Sequence, residues 1–225
     1  MKKGIKVKRT KLKVEGILLD LDGTIVDSKE TYLEAARIAF KTIGQGMVDT
    51  RVVTEIPKRL ELKLPINDLL KGSDAHEFLD VYLKTYYQVA PVKAKPLAGI
   101  SETLKKLSTK TKLALITMRR VPKEKVCEEL EKFGLAKYFQ YVITALGSDD
   151  PKPSPKALLK CAKQLGIHIR KCVVVGDSIA DIRAGKNAGA KTVGVLSGIF
   201  SRSELESEKP DLILESVNQL PDFLE

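Results

Sequence analysis

The chain reads Leu18-Leu19-Asp20-Leu21-Asp22-Gly23-Thr24 where its first apolar run ends. In an open parallel sheet, ligands bind beyond the carboxyl ends of the strands, so Asp20 and Asp22 should project into that crevice. Two carboxylates this close repel each other, and folding would neutralise one of them or recruit a cation. An Asp-Gly turn that merely ends a strand is the alternative explanation.

Apolar runs rich in Val, Ile and Leu recur along the chain and alternate with segments of helical periodicity. The runs predict short buried strands over residues 14–19, 113–116, 141–143, 172–175, 192–195 and 212–214. The segments between them predict helices over residues 100–107, 122–133, 154–165 and 179–188. This alternation is typical of parallel β-α-β units, so we expect an α/β fold with a doubly wound parallel sheet.

One long segment interrupts the alternation directly after the first strand. Its pattern predicts about four helices, over residues 31–43, 52–64, 67–71 and 75–89. The chain then returns through Pro91, Lys93, Lys95 and Pro96, which we expect to form a stiff, exposed linker. We therefore predict a core domain of residues 1–28 and 94–225 and a helical domain of residues 29–93, here called the helical insert.

Composition excludes several classes of protein. The chain has 225 residues, of which 43% are hydrophobic and 30% charged, as in globular proteins. The apolar runs fall far short of the roughly 18 residues that cross a bilayer, and no secretory signal is apparent, so we expect a cytoplasmic protein. With three scattered cysteines and two histidines, neither a disulfide framework nor a histidine-based metal site or Ser-His-Asp site is expected.

Most of the excess positive charge lies at the N-terminus. Residues 1–13 carry +7 of the net +10 and contain no acid, so the remainder of the chain is nearly balanced at +3. We interpret residues 1–13 as a solvated basic tail. The alternative is a nucleic-acid-binding or partner-binding module that uses this tail.

Further polar residues follow other predicted strands. Thr117 follows the strand at 113–116, Lys152 lies in Pro151-Lys152-Pro153, and Gly176-Asp177-Ser178-Ile179-Ala180-Asp181 follows the strand at 172–175. Taken singly, each could be a helix cap or a solvated charge. Together they place acids, a hydroxyl and a cation at one edge of the sheet, as a phosphoryl-transfer site requires.

These four motifs, in this order, resemble those of the haloacid dehalogenase superfamily of phosphohydrolases. Three segments are similar to its phosphoglycolate phosphatase and β-phosphoglucomutase branch: Lys152-Pro-x-Pro155, the glycine-rich run from Gly176 to Gly189, and Pro96-Leu-Ala-Gly99. The resemblance covers almost the whole chain, and the helical insert corresponds to the branch's cap. Asp22 also argues against hydrolytic carbon–halogen cleavage, because the true dehalogenases lack an acid at this place.

The resemblance implies a role for each motif residue. Asp20 would be the nucleophile that becomes phosphorylated, and Asp22 the general acid and base. Mg²⁺ would be held by Asp20, the backbone carbonyl of Asp22, Asp177 and Asp181, the last directly or through water. Thr117, the backbone N–H of Met118 and Lys152 would bind the phosphoryl oxygens. The branch often has Asn directly after the threonine, where this chain has Met118. Arg119 or Arg120 could reach the substrate, but we expect this adjacent pair to be solvated.

Charge counting supports the need for a cation. Four ionised aspartates outweigh Lys152 and Mg²⁺ together, so we expect Mg²⁺ to be required and the pKa of Asp22 to be raised. We therefore expect a Mg²⁺-dependent phosphatase acting on a small phosphorylated metabolite such as phosphoglycolate, without membrane or nucleic-acid partners. A sugar phosphomutase is the alternative within enzymes. One or two basic residues of the helical insert could meet a substrate carboxylate: Arg51, Lys58, Arg59 and Lys63.

Overall fold

The computed structural model describes residues 11–148 and 150–225. Its centre is a six-stranded parallel sheet with the order β5-β4-β1-β6-β7-β8. The strands of this sheet are β1 (Gly16–Leu19), β4 (Lys112–Ile116), β5 (Tyr141–Ile143), β6 (Cys172–Gly176), β7 (Lys191–Val195) and β8 (Leu212–Leu214). Five of the six predicted strands agree with these bounds to within one residue, and the first begins two residues later than expected.

Strand β1 lies in the middle of the sheet because it is apolar on both faces. It pairs with β4 on one side, where Leu19 lies opposite Leu115, and with β6 on the other. Ile17 and Leu19 pack into one hydrophobic cluster, whereas Leu18 packs into a second cluster on the opposite face. Such two-sided burial is what a central parallel strand requires.

Helices cover both faces of the sheet, which confirms the predicted doubly wound α/β fold. Helices α4 (Ile100–Ser108) and α5 (Lys123–Lys132) supply apolar residues to the cluster around Leu19. Helix α6 (Lys156–Leu165) and helix α7 (Ile179–Ala188) do so for the cluster around Leu18. A short helix, α8 (Arg202–Ser207), follows β7.

The helical insert has a hydrophobic core of its own. It consists of α1 (Lys29–Thr42), α2 (Thr50–Glu61), a 3-10 turn (Asn67–Leu69) and α3 (Ala75–Lys93). Helices α1 and α3 meet through the stacked rings of Tyr32 and Tyr86, whose centroids are 5.1 Å apart, and through Phe40 and Phe78 at 4.8 Å. Aromatic pairs at these spacings contribute stability beyond the area they bury.

The connection between the insert and the core differs from the expected linker. Helix α3 continues past Val89 and through Pro91 to Lys93, so this proline lies in the last turn of a helix. The chain then forms β3 (Lys95–Pro96), which pairs antiparallel with β2 (Val26–Asp27). The insert therefore leaves and rejoins the core through a two-stranded ribbon.

The N-terminal segment joins the core earlier than the predicted tail boundary at residue 13. Leu12 is buried and forms a parallel bridge with Leu224 near the C-terminus. The remainder of the predicted basic tail, residues 1–10, lies outside the described residues. Among the residues that the structure describes, no helix is both long and apolar enough to cross a membrane.

Candidate active site

The ends of three adjacent strands bring the predicted site residues together. Asp20 directly follows β1, Thr117 follows β4 and Asp177 follows β6, and β1 lies between the other two strands in the sheet. All three residues are buried. The carboxyl edge of the parallel sheet therefore gathers side chains that are far apart in the sequence.

Lys152 enters this edge from the loop before α6. Its ammonium group donates to Asp20 Oδ1 at 2.6 Å and to Asp181 Oδ1 at 2.5 Å, and the side chain is only 2% exposed. Burial lowers the pKa of Lys152, but the carboxylates of Asp181 and Asp20 outweigh burial and hold the pKa above its ordinary value. Lys152 is therefore a fixed positive charge beside Asp20.

Three carboxylates form a group that fits a metal ion. Asp20, Asp177 and Asp181, here called the carboxylate triad, each offer an oxygen, and these oxygens lie within 4.8 Å of one another. Burial and neighbouring carboxylates raise the pKa of Asp20 and Asp177, and the opposing charge of Lys152 does not outweigh them. Hard carboxylate oxygens are ligands that Mg²⁺ prefers, so the triad fits the expected ion.

Local backbone structure fixes two members of the triad. Ser178 is the N-cap of α7: its hydroxyl accepts from the Asp181 backbone N–H, and its own backbone N–H donates to Asp181 Oδ2 at 3.3 Å, which forms a capping box. The Ser178 hydroxyl also donates to Asp181 Oδ2 at 2.6 Å. Gly198 packs against Asp177 so closely that a Cβ there would lie 1.7 Å from Asp177 Oδ2. Only glycine therefore leaves room for this carboxylate in its present position.

Asp22 lies in the site but faces an arginine. Arg119 Nε donates to Asp22 Oδ2 at 2.7 Å and Arg119 Nη2 donates to Asp22 Oδ1 at 2.6 Å, while Ser28 also donates to Oδ1. The opposite end of the guanidinium group pairs with Glu129 on α5. The expectation that Arg119 is solvated is wrong, because its side chain is only 6% exposed between these two carboxylates. Arg120, in contrast, is exposed.

Arg119 also reverses the expected electrostatics of Asp22. Burial raises the pKa of the Asp22 carboxyl, but the charge and hydrogen bonds of Arg119 and further hydrogen bonds from Ser28 and Tyr86 outweigh it. The net pKa is lower than the ordinary value, so the expectation of a raised pKa is wrong. That expectation set the charge of the four aspartates against Lys152 and Mg²⁺ and left out the neighbouring guanidinium of Arg119.

Thr117 and Met118 line the same edge. Thr117 donates its backbone N–H to Ile143 on β5 at 3.1 Å, and its hydroxyl accepts from the backbone N–H of Arg119 at 3.1 Å. Met118 is half-buried and borders a cavity of about 240 Å³ together with Thr117. The residues that the family motif implies for phosphate are thus next to open space.

This cavity lies between the sheet edge and the helical insert. Asp20, Asp22 and Asp177 line it from the core, whereas Lys63, Tyr82 and Tyr86 line it from the insert. Its volume suits a small molecule and leaves little room for a folded phosphoprotein segment. The insert therefore borders the cavity on one side and the carboxylates border it on the other.

Of the four basic residues singled out in the insert, only Lys63 lines the cavity. Arg51 pairs with Asp49 on an exposed turn, and Arg59 pairs with Glu55 and Asp68 within the insert. Lys58 contacts Glu204 of the core. Lys63 also has an acidic partner, Asp150 at 3.9 Å, so all four are paired and Lys63 differs from the others by its place at the cavity.

Glu61, the last residue of α2, is a site residue that the sequence did not indicate. It lines the cavity beside Asp20 and Asp177. Burial and the negative charge of Asp181 raise the pKa of Glu61 to about 7. Glu61 ends a helix with several other charged residues, and no spacing or motif in the sequence distinguishes it from them. Only the contact of the helix with the core reveals its place in the site.

Comparison with known proteins agrees with this geometry. Residues 17–195 match the haloacid dehalogenase-like hydrolase family. The phosphoglycolate phosphatase of Aquifex aeolicus is 32% identical over 212 residues, which cover 91% of this chain and 93% of the relative. The pyrophosphatase PpaX of Halalkalibacterium halodurans is 28% identical over 217 residues, which cover 95% of this chain and 98% of the relative.

A solved structure shows the same fold at lower identity. The haloacid dehalogenase-like hydrolase SP0104 of Streptococcus pneumoniae superposes with a TM-score of 0.77 at 18% identity, covering 94% of this chain and 98% of that chain. The motifs at three adjacent strand ends, the family match over most of the chain and the phosphatase relatives agree with one another. The chain therefore belongs to the haloacid dehalogenase-like hydrolases and is a phosphatase of that family.

Proposed function

We propose that the protein is a Mg²⁺-dependent phosphatase that hydrolyses a small phosphorylated metabolite through a phosphorylated Asp20. The observation that carries this proposal is the buried contact between Lys152 and Asp20 at the edge of a cavity of about 240 Å³. The Asp20 carboxylate faces the cavity and is suited to attack a phosphoryl group there. The neighbouring ammonium group of Lys152 attracts the oxygens of that phosphoryl group.

In the first step, an oxygen of Asp20 attacks phosphorus. Lys152 holds Asp20 Oδ1, so we assign the attack to Oδ2. The bond from phosphorus to the leaving oxygen breaks with its electron pair on that oxygen, which accepts a proton from Asp22. Because Asp22 has a lowered pKa and is paired with Arg119 here, donation requires that its carboxyl group turn from Arg119 and take up a proton from solvent before it faces the leaving oxygen.

In the second step, a water attacks the phosphoryl group on Asp20 and gives its proton to Asp22. The bond between Asp20 and phosphorus breaks, which releases phosphate and restores both carboxyl groups. The carboxylate triad and the backbone carbonyl of Asp22 would hold Mg²⁺. The ion would supply positive charge that lets an anionic nucleophile and a phosphate dianion approach each other.

The dependence on Mg²⁺ gives the first test. We expect EDTA to abolish release of phosphate from a generic phosphomonoester and Mg²⁺ to restore it, because the triad repels a phosphate dianion unless a cation is bound. Phosphate release is measured without EDTA, in the presence of EDTA and after the addition of Mg²⁺. Elemental analysis determines the metal bound to the protein. Full activity in EDTA with no bound metal would contradict the proposal.

The substrate class follows from the cavity and the relatives. Phosphoglycolate and pyrophosphate, named for the two relatives above, are both small and both carry a second anionic group. Lys63 and Arg120 line the cavity and could meet such a group. We propose phosphoglycolate-like metabolites as substrates, with pyrophosphate as a second candidate, and a panel containing both would distinguish them by kcat/KM.

Lys63 provides a test of this assignment. We expect Lys63→Ala to raise KM for phosphoglycolate several-fold and to leave KM for p-nitrophenyl phosphate nearly unchanged, because only the first has a second anion. Arg51→Ala is the matched control, since Arg51 lies on the same insert and pairs with Asp49. Equal effects of Lys63→Ala on both substrates would show that Lys63 does not select the second anion.

Two alternatives to a phosphatase, a sugar phosphomutase and a nucleic-acid-binding protein, can each be tested separately. A sugar phosphomutase would return its phosphoryl group to a sugar and release little phosphate, so product analysis with sugar phosphates separates it from a phosphatase. A role in nucleic-acid binding would depend on the basic tail, and salt-sensitive binding that disappears on truncation of residues 1–11 would reveal it.

A further inference from the structure

Helix α2 of the helical insert is fastened to the core near its C-terminal end. Lys58 Nζ donates to both carboxylate oxygens of Glu204, at 2.7 and 2.8 Å, and lies 5.3 Å from the centre of the Phe200 ring. The Lys58 side chain is only 15% exposed, so this ion pair is partly shielded from water. Such shielding makes it stronger than an exposed pair.

An apolar contact supports the same junction. Leu62, which directly follows α2, packs against a core cluster that contains Ile179, Phe200 and Leu205. Ile179 begins the helix that carries Asp181. The end of α2 therefore rests on the part of the core that positions the carboxylate triad.

Glu61 lies three residues after Lys58, so both side chains project from the same side of α2. Whereas Lys58 contacts Glu204, Glu61 borders the cavity with Asp20 and Asp177. Docking of α2 thus brings a fourth carboxylate to the cavity that Asp20 and Asp177 line. Lys152 contacts two members of the carboxylate triad, Asp20 and Asp181.

This arrangement has an electrostatic consequence. Without a further cation, the triad repels Glu61 and opposes the docking of α2. With a divalent cation on the triad, the same carboxylate is attracted, and docking strengthens the binding of the ion.

From this juxtaposition we propose that Glu61 is a carboxylate of the Mg²⁺ site that the helical insert carries, acting on the ion directly or through a bound water. The contact of Lys58 with Glu204 and Phe200 holds α2, and with it Glu61, in place. Binding of Mg²⁺ and docking of α2 therefore favour each other. This inference rests on the proposed function, because it takes the triad as the Mg²⁺ site.

The test measures Mg²⁺ affinity by isothermal titration calorimetry on full-length protein that has been stripped of metal. We expect Glu61→Gln to weaken Mg²⁺ binding about tenfold, in the range found for residues that support a metal site. Glu55→Gln is the matched control, because Glu55 is on the same helix and pairs with Arg59. Unchanged affinity in Glu61→Gln would overturn the proposal.

Lys58→Met tests the docking step through the sign of its effect. If only charge mattered, removal of a cation would strengthen Mg²⁺ binding. We instead expect binding to weaken about threefold, because the loss of the ion pair with Glu204 releases α2. We also expect Lys58→Met combined with Glu61→Gln to bind Mg²⁺ no more weakly than Glu61→Gln alone. Tighter or unchanged binding in Lys58→Met would overturn the docking step.

Asp177→Asn separates a failure of this proposal from a failure of the proposed function. If wild-type protein binds Mg²⁺ and Asp177→Asn does not, the triad is the Mg²⁺ site, and the Glu61→Gln result then decides the inference alone. If wild-type protein shows no Mg²⁺ binding, the proposed function itself fails. Circular dichroism of each variant checks that it is folded, so that the Mg²⁺ affinities of folded proteins are compared.

Discussion

Replacement of Asp20 by Asn should lower turnover by at least about 10⁴-fold, the scale on which the loss of a covalent nucleophile acts. The amide keeps the shape of the side chain but is a much weaker nucleophile. It also leaves Lys152 with one carboxylate partner, Asp181, in place of two. We therefore expect near-normal folding with almost no phosphate release.

Acid-quench trapping provides the measurement. With a phosphorus-labelled substrate, wild-type protein should retain label that is released by hydroxylamine, as an acyl phosphate is, and Asp20→Asn should retain none. Asp22→Asn is the informative contrast, because it removes proton transfer and keeps the nucleophile. It should still become labelled by p-nitrophenyl phosphate, whose leaving group needs no proton. Near-normal turnover in Asp20→Asn would remove Asp20 from its assigned role.

Replacement of Lys152 by Met should reduce both stability and activity. The ammonium is 2% exposed and joins Asp20 to Asp181, so its loss leaves two buried carboxylates without their common cation. Breaking a buried ion pair by removing one partner costs about 3–5 kcal/mol of unfolding free energy. We also expect kcat/KM to fall at least about 10²-fold, because a fixed charge at the developing phosphoryl oxygens is lost.

Chemical denaturation and phosphate release measure the two effects separately. Lys156→Met is the matched control, since Lys156 is exposed at the start of α6, just after the loop that carries Lys152. We expect Mg²⁺ to raise the melting temperature of Lys152→Met more than that of wild-type protein, because the triad then lacks its internal cation. Wild-type stability and activity in Lys152→Met would contradict the role assigned to the ammonium.

The sequence predicts the sheet and its edge well because these depend on local patterns. Residues 16–19, which directly precede Asp20, carry no polar side chain, as a strand buried on both faces requires, and the motif that follows fixes where the chain turns. Lys152 and Asp181 are predicted as site residues by order along the chain and by the family resemblance. The structure adds that they contact each other.

Two features of the site depend on packing that no local pattern shows. Arg119 is polar and follows a strand, which favours solvent exposure, yet Glu129 on a separate helix and Asp22 bury it from both sides. Glu61 becomes a site residue only when α2 docks. Pro91 is a further case in which the local pattern misleads. A proline favours a linker, yet here it lies near the end of α3, a helix that packing stabilises.

The two-stranded ribbon has a consequence for how such a protein diversifies. Val26 lies opposite Pro96 and Asp27 lies opposite Lys95, so the chain departs from the core and comes back at neighbouring points. The six-stranded sheet needs only those two points to be close, whatever the chain does between them. A helical unit of different size could be grafted onto the ribbon without changing the register of any sheet strand. On the proposal that the substrate meets the insert, such an exchange would change substrate preference while the carboxyl edge of the sheet is inherited intact.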